Sequence, residues 1–192
     1  MKRLVVIAVF TLASMCCTGA GTAGSAPLVI KAGGKDTSLT VRSSGSDKSV
    51  KTFTDKENKI TTATSFHAVM ANYDLDTKTV GAMKKPVTAP DQVRLQLQLI
   101  GEEGTDQKSE LKPGIYKADP KEKFMKVDYL AVATFSDGKE TNTSFDMTFS
   151  GSKVTGMVEV TSVTADAITG TIDITDGDRS VKGPFVAKII QK

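Results

Sequence analysis

Few side chains in this chain are of the types that do chemistry, and their spacing suits few reactions. His67 is the one histidine, and the two cysteines, Cys16 and Cys17, stand side by side. A Ser-His-Asp triad needs an imidazole within hydrogen-bond reach of a hydroxyl and of an orienting carboxylate. His67 could be that base, but no Gly-x-Ser-x-Gly elbow offers it a nucleophile. One histidine, with no cysteine beyond Cys17, also falls short of a zinc or copper ligand set. Calcium asks only for oxygen. Asp173, Asp176 and Asp178 crowd one turn, and Asp74 and Asp76 form a second pair. Neither follows the EF-hand spacing. Asp173, Asp176 and Asp178 stay open as a calcium candidate, with hairpin chemistry at Asp176-Gly177-Asp178 as the plainer reading.

Other chemistries find equally thin support. Acids are plentiful, but nothing singles out two of them as the carboxylate pair of a glycosidase. No glycine-rich loop has the spacing that cradles phosphates. With no tryptophan, a sugar platform would rest on Tyr73, Tyr116 and Tyr129, and tyrosines on strands commonly serve cross-strand packing. Lys117, Lys121, Lys123 and Lys126 cluster, but Asp119 and Glu122 are interleaved with them, which reads as a solvated turn. The formal net charge is +3, of which Lys2 and Arg3 supply two, leaving about +1 for the rest. That balance gives no concentrated basic face for nucleic acid. The residues therefore point to no cofactor, no nucleic-acid partner and no enzyme.

The elements that would hold these side chains read as strands. Gln92-Val93-Arg94-Leu95-Gln96-Leu97-Gln98-Leu99 alternates without error. Val93, Leu95, Leu97 and Leu99 fall on one face, and the glutamines and Arg94 on the other. Only a strand separates them so, with one face on a core and the other expected in water. Phe145, Met147 and Phe149 repeat the pattern, as do Val158 and Val160, and Ile168, Ile172 and Ile174. Leu28–Ala32, Leu39–Arg42, Val50–Phe53 and Ile60–Thr64 are shorter strand candidates, and Phe66–Leu75 is read as a strand over a short helix. Ser136-Asp137-Gly138-Lys139 and Asp176-Gly177-Asp178 carry hairpin turns. Gly183-Pro184 interrupts the last strand, because proline cannot donate to a ladder, so a bulge or an edge is expected there. Turn signals about every 8–12 residues predict an all-β fold: an antiparallel β-sandwich or closed β-barrel of roughly ten strands. Its core should hold Val93, Leu95, Leu97, Leu99, Phe145, Met147, Phe149, Val158, Val160, Ile172, Ile174, Phe185 and Ile189.

The first residues follow a different grammar. Lys2 and Arg3 precede an uncharged, mainly apolar run from Leu4 to Cys17, and a small-residue tract follows to Ala26. That order is the anatomy of a secretory signal peptide, and the run is too short for a membrane span. Residues 1–20 are read as the signal, 21–26 as a flexible linker and 27–192 as one all-β domain. Cleavage sites stand after Ala20 and Ala23. Leu12-Ala13-Ser14-Met15-Cys16 resembles the lipobox of bacterial lipoproteins, with Met15 where a small residue is usual. The resemblance covers only the first 26 residues. It implies lipidation at Cys16 or Cys17 and a membrane tether, against the alternative of a freely secreted chain.

Together these features lead us to expect an exported bacterial envelope protein, in the periplasm, cell envelope or medium, with a non-enzymatic binding or structural role. Its rivals are a lipocalin-like carrier of a small apolar ligand and an extracytoplasmic hydrolase.

Overall fold

The computed structural model describes residues 26–78, 83, 85–147 and 151–190. The candidate signal, with Cys16, Cys17, Ala20 and Ala23, lies outside the described residues, as does Phe149. Among the described residues there are eleven strands and no α-helix. In chain order they are β1 (Leu28–Ala32), β2 (Lys35–Leu39), β3 (Ser43–Thr54), β4 (Ile60–Ala71), β5 (Val93–Ile100), β6 (Gly114–Lys117), β7 (Lys126–Ser136), β8 (Lys139–Phe145), β9 (Val154–Val163), β10 (Ala167–Asp176) and β11 (Arg179–Lys188).

All eleven join one sheet in the order β2-β1-β11-β10-β9-β6-β7-β5-β4-β3, with β8 paired to β7 beside that path. The sheet is not closed by a ladder. Eleven strands agree with the roughly ten expected, but one expectation is corrected: the sheet is not wholly antiparallel. β6 meets β7 in parallel at Lys117 and Lys126. Residues 118–125 carry the chain back between the end of β6 and the start of β7, so the two strands run in the same direction.

Local chemistry explains several joints. Asp137 and Gly138 have φ of 53° and 77°, the paired left-handed geometry of a two-residue hairpin between β7 and β8. Pro184 faces Thr171 of β10 without a register shift. It sits just past Lys182, the last residue of β11 that β1 pairs with. The break is therefore an edge and not a bulge.

Every expected core residue that is described is buried except Ile189, which packs half-buried against the others. Phe66, Tyr116, Phe145 and Phe185 are among the largest side chains in this interior, and each is at most 2 % exposed. The 101–113 connection covers one end of it. Leu111 enters the core, Thr64 Oγ1 donates to the Asp106 carbonyl at 2.5 Å, and Lys48 pairs with Glu110 at 2.7 Å.

The opposite face of β5 corrects the sequence reading. Arg94 and Gln96, expected in water, are only 4 % and 9 % exposed. The chain between β4 and β5 folds back over this face. Leu75, Met83 and Val87 pack there on Val69, Ala71 and Ala133 as a second, smaller apolar cluster. Arg94 is held beneath it, donating to the Lys85 carbonyl at 2.5 Å and to Glu140 Oε1 at 2.8 Å.

Candidate functional site

Beyond the edge of that second cluster, the same face of the sheet opens into a cleft. The register lays Asp47 of β3, His67 of β4, Gln98 of β5 and Tyr129 of β7 in one transverse row. His67, Gln96, Gln98 and Tyr129 line a cleft of about 340 Å³. Strand periodicity puts them there. His67 shares its face with Ser65 and Val69, while Phe66 and Ala68 turn into the core. A register shift in the β5–β7 ladder between Gln98 and Leu99 leaves Asp128 without a partner on β5.

The lining is polar: an imidazole, two carboxamides and a phenol. Gln98 Nε2 donates to Ser65 Oγ at 2.7 Å, which fixes one amide. The other is different. Gln96 is nine-tenths buried, yet among the described residues no group hydrogen-bonds its side-chain amide. Its amide atoms are not sealed from solvent. They are turned to the cleft.

A few charges surround the cleft. Asp128 receives Lys51 Nζ at 2.6 Å and lies 3.6 Å from Lys126 Nζ. Lys126 is buried, so it departs from the solvated cluster expected of Lys117, Lys121, Lys123 and Lys126. The other three follow that reading, with Lys117 paired to Glu122 at 3.1 Å. On the far side, Glu140 accepts from Val87 N–H, Arg94 and Asn142. Burial pushes its carboxyl up, but those donors and the Arg94 charge outweigh burial and hold it below the usual range.

The other candidates are dispersed. Ser65, the hydroxyl beside His67 on this face, is 2 % exposed and already engaged by Gln98, which leaves no poised nucleophile at the imidazole. Asp173 pairs with Lys182 at 2.7 Å, and Asp176 is bound by Arg179, so two of the three calcium candidates face cations of their own. Asp178 lies in the turn beyond them, and no cluster of metal-ligating side chains occurs among the described residues. Tyr73 and Tyr116 are buried, their hydroxyls donating to the carbonyls of Lys85 and Lys112. Burial raises both phenols above their ordinary value, although Arg94 partly offsets this at Tyr73. Of the expected aromatic platform only Tyr129 remains at the surface, 36 % exposed.

Gln96 and Gln98 were the residues that sequence reasoning assigned to solvent. One signal was present. Three of the four polar residues in the alternating run from Gln92 to Leu99 are glutamines, where a face left in water more commonly carries lysine and glutamate. No protein family, no curated protein and no solved structure matches this chain.

Proposed function

We propose that the chain is an exported envelope protein whose β-domain is a non-enzymatic binding module, taking its ligand in the cleft of His67, Gln96, Gln98 and Tyr129. The observation that carries this is Gln96. Gln96 is nine-tenths buried as a residue, but its amide, which no protein group bonds, is open to the cleft, where a ligand can take its hydrogen bonds in place of water. Export rests on the charge-apolar-small order of residues 1–26.

The finer architecture we favour is a sheet rolled toward a barrel. Ser46 Oγ donates to the Lys188 carbonyl at 2.8 Å, and Ser46 bridges Ile189, so β3 at one end of the sheet touches the last strand. The interior of that barrel is occupied by Phe66, Tyr116, Phe145 and Phe185, the space a lipocalin-like carrier would keep for its ligand. This favours a site on the outside.

Two measurements test the proposal. The intact mass of the protein purified from its own cells should begin at Gly21 or Gly24, or at a lipidated Cys16 or Cys17. A retained Met1 would overturn export. A thermal-shift screen spanning sugars, peptides, nucleotides and lipids should yield a class that stabilises the wild type but not Gln96→Met. No such class would overturn the binding module.

A further inference from the structure

Taking the cleft as a binding site, we infer that its ligand is a neutral oligosaccharide. A carboxamide presents a donor and an acceptor side by side, and a sugar hydroxyl is both donor and acceptor. Gln96, with its amide unengaged by protein, and Gln98 on the same strand face offer two such pairs. Tyr129 supplies an exposed ring in line with Gln98, a flat apolar surface for the C–H face of a pyranose. The cleft, about 340 Å³, is at the small end of ligand sites and suits about one or two sugar rings.

Competing ligand classes fit less well. Nucleic acid wants a basic groove tracking its phosphates. Here the nearby lysines, Lys51 and Lys126, are both turned to Asp128. A peptide added as a strand needs an open sheet edge. The cleft lies on the face of strands whose backbones are paired on both sides, β5 between β4 and β7. An acyl chain needs an apolar lining, and three of the four lining side chains end in amides or an imidazole.

The test uses the full domain and five defined probes, with maltotriose, cellotriose and triacetylchitotriose as neutral sugars and trigalacturonate and trialanine as contrasts. Each is titrated to about 10 mM, enough to reveal a site of millimolar affinity. At least one neutral trisaccharide should shift the side-chain amide resonances of Gln96 and Gln98 and change the tyrosine fluorescence. Gln96→Met and Tyr129→Ala should each weaken that binding at least tenfold. Gln96→Met should do so without lowering the thermal midpoint, a result that a purely structural glutamine would not give. If trigalacturonate or trialanine moves these resonances and no neutral sugar does, the sugar assignment fails and the cleft stands as a site. If none of the five moves them, the sugar assignment fails, and the broader thermal-shift screen decides separately whether the cleft binds anything.

Discussion

Arg94 on β5 meets Glu140 on β8 at 2.8 Å, although β7 runs between their strands. Ala133 of β7 makes the crossing possible. It stands opposite Arg94 in one ladder and opposite Asn142 in the other, and its methyl leaves room for the guanidinium to pass over. The pair ties the turn-back between β4 and β5 to the sheet, because Glu140 also holds Val87 N–H and Arg94 also holds the Lys85 carbonyl.

Glu140→Ala should therefore cost about 3 kcal/mol in urea unfolding, since it strands a buried guanidinium. The double variant Arg94→Met with Glu140→Met should be more stable than Glu140→Ala alone. A double-mutant cycle showing no coupling would remove the pair from the account of stability.

The same carboxylate sets an acid limit. Its pKa is lowered in the folded chain, so its contribution is complete above the ordinary glutamate value of 4.5 and is lost as pH falls through the lower folded value. Unfolding midpoints should drop on acidification below about pH 4.5. The drop should be shallower in Glu140→Gln, and parallel acid limbs in the two proteins would contradict this.

Leu97 lies at the centre of β5, between Ala68 and Leu130, with no exposed surface. Leu97→Ala should cost about 2–5 kcal/mol, and Leu97→Asp should yield no soluble folded protein. Val29→Asp, on a residue 51 % exposed, should change stability by no more than about 0.5 kcal/mol. A folded Leu97→Asp would sink the assigned register.

Gly170 sits where β9 and β10 shift register, and a β-carbon there would lie 2.1 Å from the Glu159 carbonyl oxygen and 2.9 Å from Phe185. Gly170→Ala should destabilise by about 3 kcal/mol. Gly177→Ala, in open space but at φ +62°, should cost about 1 kcal/mol. Equal effects would mean that the neighbours of Gly170 give way and the crowding there costs little.

How far the fold was legible depended on where the apolar residues lay. β1 matches the expected Leu28–Ala32, and β9 carries the expected alternation of Val158 and Val160, because their inward residues are apolar. β3 was visible only as Val50–Phe53. Most of its twelve residues are serine, threonine, lysine or aspartate, and it is held by pairing along all of β4 and not by its own burial. The strand expected at Leu39–Arg42 is not there: β2 runs Lys35–Leu39 and shares only Leu39 with it, because Gly33 and Gly34 turn the chain early. The two runs at Ile60–Thr64 and Phe66–Leu75 are one strand, β4, ending at Ala71. Periodicity separated the two faces of β5 correctly, but it cannot say what covers each. Only the turn-back carrying Leu75, Met83 and Val87 reveals that the Arg94 face is partly closed and that Gln96 looks into a cleft.

The contact between Ser46 and Lys188 joins residues 142 positions apart, and β1 finds its second neighbour only in β11. Folding of this chain is consequently governed by its slowest and most distant pairing, and it belongs with the high-contact-order β proteins that fold in milliseconds to seconds. A nascent chain lacking its last strand has no partner for one side of β1 and no anchor for the end of β3. Truncation before Arg179 would thus leave two unprotected edges, and aggregation would compete with refolding from the C-terminal end inward.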